Sequence, residues 1–585
     1  MNHVTNIVSS ICCSPQTSLF DIYRLFDNAA KNNVPSGIAL VTDENGKLLG
    51  TVTEGDIRRA LLKHSTLDLK AGNIMQQNPI TFSEGLSIQQ ILEKLPEELK
   101  ARNRKSSKYL SKIIFVNNAG QPARVLDYHQ LWEQKVASHR HLVVVGLGYV
   151  GLTMAVVMAD AGFLVTGVEV DDTRYSMLQR GESYIHEVGL PELLKEQIGR
   201  NFSVSKELPD DGDVFIISVG TPVVKMPDGK KRPIMDYLDD ACEKIAGKLK
   251  RGHLVILRST VPIGTCRRHV KAKLEEKSGL VCGVDFHLSF APERTAEGKA
   301  LKELRSLPQI IGGYNNDSLE ATAAVFRDIT PTIVKVESLE SAEMAKLINN
   351  SFRDYVFAYS NQMARIASKF NINIAAVIKA ANDGYPRDPV PLPSPGVGGP
   401  CLTKDPHIFA SVAEQFDFDG DIFIKGRTIN ESMHEHAFEA VMQQLEATGK
   451  NPADCNILVC GLAFKGNPET GDIRNSSAVE IALLFKGKVK EVYGYDAVVV
   501  KEEIEEYGIK AVNMPAAFKD MDVVMFLNNH KSFEKINVFE MVRTMNENPI
   551  VYDGWNLFRD EDILSARPCT YMGLSYVKST ALVEA

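Results

Sequence analysis

The chain has 585 residues, 44% of them hydrophobic and 24% charged, ordinary globular usage that excludes wholesale disorder. At roughly 150 residues per domain there is room for about four domains, each able to bury a core without disulfides or metals. The 66 basic and 74 acidic residues give a net charge of −8, which argues against nucleic acid as a partner because neutralising phosphates takes a basic face. The nine cysteines are odd in number, form no CxxC and match no zinc spacing, so a reducing cytoplasm and a metal-free protein are expected.

In chain order, residues 1–136 read as an α+β module with two related halves. In the first, Gly37–Thr42 and Lys47–Thr53 are strands around the turn Asp43-Glu44-Asn45-Gly46, followed by a helix over Asp56–Lys63. The second repeats this with Lys112–Asn117 and Arg124–Leu126 around Asn118-Ala119-Gly120. Residues 141–335 alternate short apolar runs (His141–Val145, Leu164–Val170, Val214–Val219, Leu254–Arg258, Phe286–Phe290) with helical stretches, the rhythm of a parallel sheet with crossover helices. Residues 336–447 are predicted mostly helical, with a spine over Ser341–Phe370 that contains no Gly or Pro and repeats Met344, Leu347, Ile348, Phe352, Tyr355, Val356 and Tyr359 at helical spacing. Residues 448–585 return to strand–helix alternation. The expected class is α/β: two parallel-sheet domains joined by a long helix. Leu142–Ala159 is uncharged for 18 residues, long enough for a membrane span, but its glycines fall where a strand turns into a helix, and no membrane partner is expected.

Those glycines form Gly146-Leu147-Gly148-Tyr149-Val150-Gly151, after a strand and at the start of a helix. Gly146 allows the tight turn, Gly148 lets a pyrophosphate approach the backbone, and Gly151 lets helix and strand pack closely. The helix N-terminus then offers free N–H groups to a diphosphate. Glu169 closes the next strand, where a carboxylate accepts bonds from a ribose diol; this favours NAD over NADP, although Arg174 stands nearby. Gly220-Thr221-Pro222, Ser259-Thr260-Val261-Pro262, Glu293 and Glu297 follow the carboxyl ends of other strands, the side on which such sheets bind ligands.

The segment Gly396-Val397-Gly398-Gly399-Pro400-Cys401-Leu402-Thr403-Lys404-Asp405-Pro406 reads as a ligand-wrapping loop running into a helix capped by Asp405, with Pro406 at its first position. Helix N-terminus and Lys404 together are expected to lower the Cys401 thiol pKa and make it a nucleophile. Lys346 and Asn350 share one face of the spine, and the apolar residues around Lys346 suggest that its side chain enters a cleft.

The motifs GLGYVG, SVGTP, STVPIGT, APERTAEG, SAEMAKLINNSF, GVGGPCLTKD and GLAFKG, in that order over about residues 141–575, resemble those of the nucleotide-sugar 6-dehydrogenases: the UDP-glucose, UDP-N-acetylhexosamine and GDP-mannose dehydrogenase family. The resemblance implies two Rossmann-like domains and a four-electron oxidation of a sugar C6 alcohol to a carboxylate with two NAD in succession. It implies Cys401 as the nucleophile, Lys346 and Asn350 as oxyanion stabilisers, Asp405 and Thr260 in water and proton handling, and Glu293 in thioester hydrolysis. It further implies cofactor contacts at Glu169, Arg174, Thr221, Thr260, Glu297, Lys404 and Arg474. Substrate contacts are implied at Glu293, Lys346, Asn350, Arg353, Arg387, Gly398, Gly399, Phe464 and Lys465, with Arg387 reaching across a subunit boundary of a homo-oligomer. The sugar is expected to be a UDP-N-acetylhexosamine. Pro400 in place of a histidine, with Lys404-Asp405 after the cysteine, leaves UDP-glucose as the alternative, and a nucleotide-sensing protein with an inactive dehydrogenase fold is a further one. The front module resembles a cystathionine-β-synthase-type (CBS) pair, which in other proteins often binds adenine nucleotides. Thr53 and Asp56 match that family's nucleotide contacts, whereas Asp127 and Gln130 stand at the second copy's positions, so one competent nucleotide site at most is expected; a structural, dimer-forming role is the alternative.

Overall fold

The computed structural model describes residues 8–31, 37–64, 68–84, 86, 98, 112–127 and 140–580. It divides into two units, 1–139 and 140–585. In the front unit, β1 (Cys12–Cys13), β2 (Ile38–Thr42), β3 (Leu48–Thr53) and β4 (Gln76–Gln77) form one sheet, and β5 (Thr81–Ser83), β6 (Lys112–Val116) and β7 (Pro122–Asp127) another. The two sequence halves are the hairpins β2–β3 and β6–β7, turned by Gly46 at φ +77° and Gly120 at φ +75°. They meet at their turns, where Leu48 N donates to Gly120 O at 3.0 Å and Gln121 Nε2 to Asn45 O at 2.8 Å. Helices α1 (Leu19–Lys31) and α2 (Glu54–His64) cover the first sheet, sealing Ile22, Phe26 and Ile57 against Ala39, Val41 and Val52.

The larger unit contains two doubly wound sheets. The first has β8 (His141–Val145), β9 (Leu164–Val168), β10 (Phe202–Ser205), β11 (Val214–Ile217), β14 (Leu254–Leu257), β15 (His287–Phe290), β16 (Gln309–Gly313) and β17 (Ile333–Val336), in the order β10-β9-β8-β11-β14-β15-β16-β17. A two-stranded hairpin, β12 (Val223–Lys225) and β13 (Lys231–Pro233), lies outside this sheet. Strands such as Val214–Ile217 and Leu254–Leu257 are buried at every residue, as expected where helices cover both faces. The parallel expectation fails at one place: β16 runs antiparallel to β15. In the second sheet the order is β20-β19-β18-β21-β22-β23-β24, built from β18 (Asn456–Cys460), β19 (Glu491–Tyr495), β20 (Lys510–Ala511), β21 (Val523–Phe526), β22 (Ile550–Asp553), β23 (Thr570–Gly573) and β24 (Val577–Ser579), with only β23–β24 antiparallel. Strand order reverses between β8 and β11 and again between β18 and β21, and ligand crevices form outside the carboxyl ends at such points.

Leu142–Ala159 resolves into β8 and the helix α3 (Tyr149–Asp160). Among the described residues no helix is long and apolar enough to cross a membrane. The spine is α4 (Leu339–Ser368), 30 residues and about 45 Å at 1.5 Å per residue. It begins two residues earlier than the sequence suggests because Ser338 caps it, its hydroxyl accepting from Ser341 N. Alongside it pack α5 (Asp405–Glu414) and α6 (Asp421–Ala447).

Candidate functional site

The glycine turn after β8 takes the shape its sequence requires. Gly146 has φ +87°, and a Cβ on Gly151 would lie 1.9 Å from Gly146 O, so α3 can pack here only without a side chain at that point. A Cβ on Gly148 would meet nothing within 4 Å. Gly148 also caps α3 with no side chain on the first N–H groups, leaving them open to a ligand. Val150 is half-buried beside it. The Tyr149 hydroxyl donates to Glu187, whose carboxylate also accepts from Gly298 N at 2.6 Å and Ala300 N at 2.9 Å. Glu169 stands buried just past β9 with Asp171 N on its carboxylate at 3.0 Å; Arg174, exposed, lies over the Tyr184 ring at 5.2 Å. An open helix N-terminus next to a carboxylate at the end of the neighbouring strand fits the diphosphate and ribose of NAD.

Across the reversal point, Thr221 is buried and donates to Thr260 O at 2.6 Å, which fixes the two strand-end loops together. Glu293 is buried on Arg258, a cation only 2% exposed at the end of β14, and also accepts from Arg294 N at 2.8 Å and Thr295 N at 2.7 Å. Burial is the largest single influence on Glu293 and raises its carboxyl, but Arg258, the Thr295 hydrogen bonds and Lys346 together outweigh it and hold the group below its ordinary value. The sequence reading passed over Arg258; its only signal was a charge closing an apolar run. Lys346 Nζ donates to the Glu293 carbonyl at 2.5 Å, and one turn along α4 Asn350 Nδ2 donates to Asp405 Oδ2 at 2.5 Å. Asp405 has no exposure at all, and its second oxygen accepts from Lys404 Nζ at 2.8 Å.

Cys401 lies on the loop before α5, solvent-accessible but walled by protein, within the fields of Lys346, Lys404, Asp405 and Glu297. Two expectations are corrected here. Helix α5 starts at Asp405 with Lys404 as its cap, and Pro406 takes the second position, so Asp405 is free to face Asn350 instead of capping. The thiol pKa is raised, not lowered: desolvation exceeds the pull of Lys346 and Lys404, and Asp405 and Glu297 add to the rise.

The second sheet supplies the far wall. Lys465 Nζ donates to Glu297 O at 2.8 Å, and Thr470 Oγ1 to Glu297 Oε2 at 3.1 Å. Burial, with Asp472 nearby, pushes the Glu297 carboxyl up to about 7. Burial lowers the Lys465 ammonium, which feels Arg353 and Cys401 as well. Arg474 pairs with Asp472 at 2.5 Å. Gly399 (φ +90°) lies so close to the Phe464 ring that a Cβ would come within 2.6 Å of it, and one on Gly398 would come within 2.4 Å of Asn475 O. A cavity of about 340 Å³ opens beside this wall, between Leu392 and Pro393, just ahead of the cysteine segment, and Asn529, Lys531 and Trp555 of the second sheet's loops.

Other residues named from the sequence lie apart from this cluster. Arg387 is exposed, with its guanidinium over the Tyr385 ring. Met344 and Ile348 are exposed on α4, so the apolar pattern does not carry Lys346 into the cleft; Lys346 reaches it from a different face. In the front unit, Asp56 is 4% exposed and accepts from Thr53 Oγ1 at 2.6 Å, Thr53 N at 2.9 Å, Arg59 Nη2 at 2.6 Å and Gln76 Nε2 at 3.1 Å. Gln130 lies outside the described residues, as does the side chain of Asp127. Among the described residues no cluster of His, Cys, Asp and Glu could hold a metal ion.

Residues 140–330, 340–432 and 458–560 match the NAD binding, central and UDP binding domains of the UDP-glucose/GDP-mannose dehydrogenase family, and residues 4–63 match a CBS domain. The UDP-N-acetyl-D-mannosamine dehydrogenase of Pyrococcus horikoshii is 31% identical over 72% of this chain and 97% of its own, and that of Campylobacter jejuni 31% identical over 68% and 97%. The solved structure of the Pyrococcus horikoshii enzyme superposes with a TM-score of 0.66 over 74% of this chain and 99% of its own. The UDP-N-acetyl-mannosamine dehydrogenase Cap5O of Staphylococcus aureus, 31% identical over 74% and 98%, gives 0.64.

Proposed function

The chain belongs to the UDP-glucose/GDP-mannose dehydrogenase family as an NAD-dependent nucleotide-sugar dehydrogenase carrying a CBS domain, and from that premise we propose that it oxidises the C6 alcohol of a UDP-N-acetylhexosamine to the carboxylate through a covalent Cys401 intermediate. The glycine turn at 146–151 and Glu169 would hold NAD, which would supply the hydride acceptor for the two oxidations, one molecule for each. The observation that carries the reading is the convergence on Cys401 of Lys346, Asn350 and Asp405 from one side and of Glu297, Lys465 and Arg474 from the other.

In this reading the first oxidation converts the alcohol to an aldehyde. The Cys401 thiol adds across the aldehyde carbonyl, sulfur to carbon and its proton to the oxygen, giving a thiohemiacetal whose oxygen Lys346 and Asn350 stabilise. Removal of a second hydride leaves a thioester; water adds to its carbonyl, the C–S bond breaks, and the acid and the thiol are released. Asp405, buried and hydrogen-bonded to Asn350 and Lys404, is suited to holding water or a proton beside the sulfur. Glu293 is assigned to the hydrolysis step, and Thr260 lies beside it on the neighbouring strand end. Covalent capture of the aldehyde within the site keeps it from being released.

Lys465, Arg353 and Arg474 place positive charge where a diphosphate would lie. The adjoining cavity, mostly apolar and edged by Asn529 and Trp555, is suited to the uridine end. Relatives at 31% identity named as UDP-N-acetyl-D-mannosamine dehydrogenases favour an N-acetylated sugar. Met344, Ile348, Phe352, Tyr355 and Tyr359 form an exposed stripe along α4, which supports a homo-oligomer in which Arg387 serves a neighbouring subunit. The CBS match supports an adenine-nucleotide site at Thr53 and Asp56, and nine free cysteines accord with a cytoplasmic location.

The test is NADH formation from a panel of UDP-N-acetylhexosamines, UDP-glucose and GDP-mannose. Two NADH per UDP-N-acetylhexosamine and no acid from Cys401→Ser are expected. One NADH per sugar with free aldehyde would contradict the covalent route, and turnover of UDP-glucose alone would contradict the substrate.

A further inference from the structure

The segment that carries Cys401 is gripped by a side chain with no part in the chemistry above. Arg427, in the second turn of α6, is 1% exposed. Its Nη2 donates to Val397 O at 2.6 Å and its Nη1 to Leu402 O at 3.3 Å, the carbonyls on either side of Gly398-Gly399-Pro400-Cys401. Nη1 also donates to Asp354 Oδ1 at 2.7 Å on α4, and Nε faces Glu431 at 3.4 Å. Asp354 is steadied in turn by Asn430, whose Nδ2 donates to its carboxylate at 2.8 Å and to its carbonyl at 2.9 Å. Asn430 Oδ1 accepts from Asn361 Nδ2 at 2.8 Å, and Asn361 Oδ1 accepts from Ser394 N at 2.9 Å, where the loop begins. The polar chain thus starts and ends on the cysteine loop and passes through both long helices.

A loop with three glycines has little stiffness of its own. Burying a guanidinium among apolar helices is costly, and the cost is offset only when several of its donors are used. Here the donors go to loop carbonyls, not merely to a counter-ion, so the fork sets the span of the loop from Val397 to Leu402. We propose that Arg427 is a positioning residue that holds Cys401 within reach of the sugar C6 and of Lys346. This rests on the reading of Cys401 as the nucleophile.

The experiment is Arg427→Lys in the full chain. It keeps the charge but cannot reach two carbonyls and Asp354 at once. Its melting temperature and NAD affinity report folding. Two readouts then test position. With a UDP-N-acetylhexosamine, the variant is expected to form NADH but to divert product to trapped aldehyde, lowering acid formation about 100-fold with KM nearly unchanged. Without any sugar, the rate of iodoacetamide alkylation at Cys401, followed by peptide mass spectrometry against pH, is expected to rise about five-fold at pH 8, because a loosened loop hydrates a thiol whose pKa is held up chiefly by burial. If a folded Arg427→Lys protein keeps both the wild-type product ratio and the wild-type alkylation profile, the proposal is overturned. Should that variant not fold, Asp354→Asn applies the same two readouts, with the same outcomes, by removing the charge that aims the guanidinium. A wild-type protein that oxidises no nucleotide sugar would sink the proposed function and leave the alkylation comparison to decide the role of Arg427.

Discussion

The two sheets of the larger unit follow one topology and turn it to different chemistry. Each central strand ends in a glycine of positive φ, Gly146 at +87° and Gly461 at +90°. After Gly146 the chain enters a helix within three residues, and bare backbone N–H groups face the crevice. After Gly461 the chain wanders through Phe464, Lys465 and the cis-proline segment at 468, and no helix begins until Ser477. In the proposed reading the first sheet would meet a diphosphate with backbone and helix dipole, the second with side chains. A backbone site is specified by what its glycines leave out; a side-chain site is specified by which residues the loop presents.

That contrast makes the first site brittle and the second tunable. The largest effect is expected from Gly151→Ala. A methyl 1.9 Å from a main-chain oxygen forces α3 off the strand, so NAD affinity should drop by more than about 100-fold, measured by calorimetry, while UDP binding to the second sheet is retained. Loss of both together would mean that the sheets are not independent. Next comes Lys465→Met, which removes a charge-assisted contact worth about 1.5–3 kcal/mol. The Kd for UDP should rise about 10–100-fold with the NAD Kd unmoved. Glu169→Gln comes third, weakening NAD about ten-fold and narrowing the preference over NADP; an unchanged NAD Kd would remove Glu169 from the ribose site.

The same contrast governs what could be read from sequence. The glycine turn was legible because its constraints are local: a strand, three glycines at fixed spacing and an acid at the end of the next strand. The helices and most strands were legible from apolar runs. The antiparallel β16 was not, since strand direction depends on the path of the chain around the sheet and leaves no residue pattern. The thiol's direction was misjudged because a nearby lysine is visible in sequence and desolvation is not. Arg258 and Arg427 escaped notice for a related reason: an arginine in a helix or strand reads as solvated until the fold buries it. The stripe on α4 was read correctly as periodic, but periodicity cannot say which apolar face is left open.

The smallest expected effect concerns the seam where the two sites meet. Glu297 belongs to the first sheet's loops, yet its hydrogen bonds go to Lys465 and Thr470 of the second. Burial and Asp472 raise its pKa to about 7, against 4.5 for a free glutamate. A carboxyl raised on folding stabilises the folded state fully below the unfolded pKa, and that contribution is lost as pH rises through the folded value. Between about pH 4.5 and 7 this group alone makes the protein less stable as pH rises. Glu297→Gln should flatten that slope, by roughly 1–2 °C in melting temperature over the interval. It should also remove a negative charge that opposes the Cys401 thiolate, moving the alkylation midpoint of Cys401 downward. A midpoint that stays in place would separate Glu297 from the sulfur and confine it to the cofactor side of the cleft; a midpoint that moves would mean that one carboxyl, ionising near neutrality, is felt on both sides of the seam.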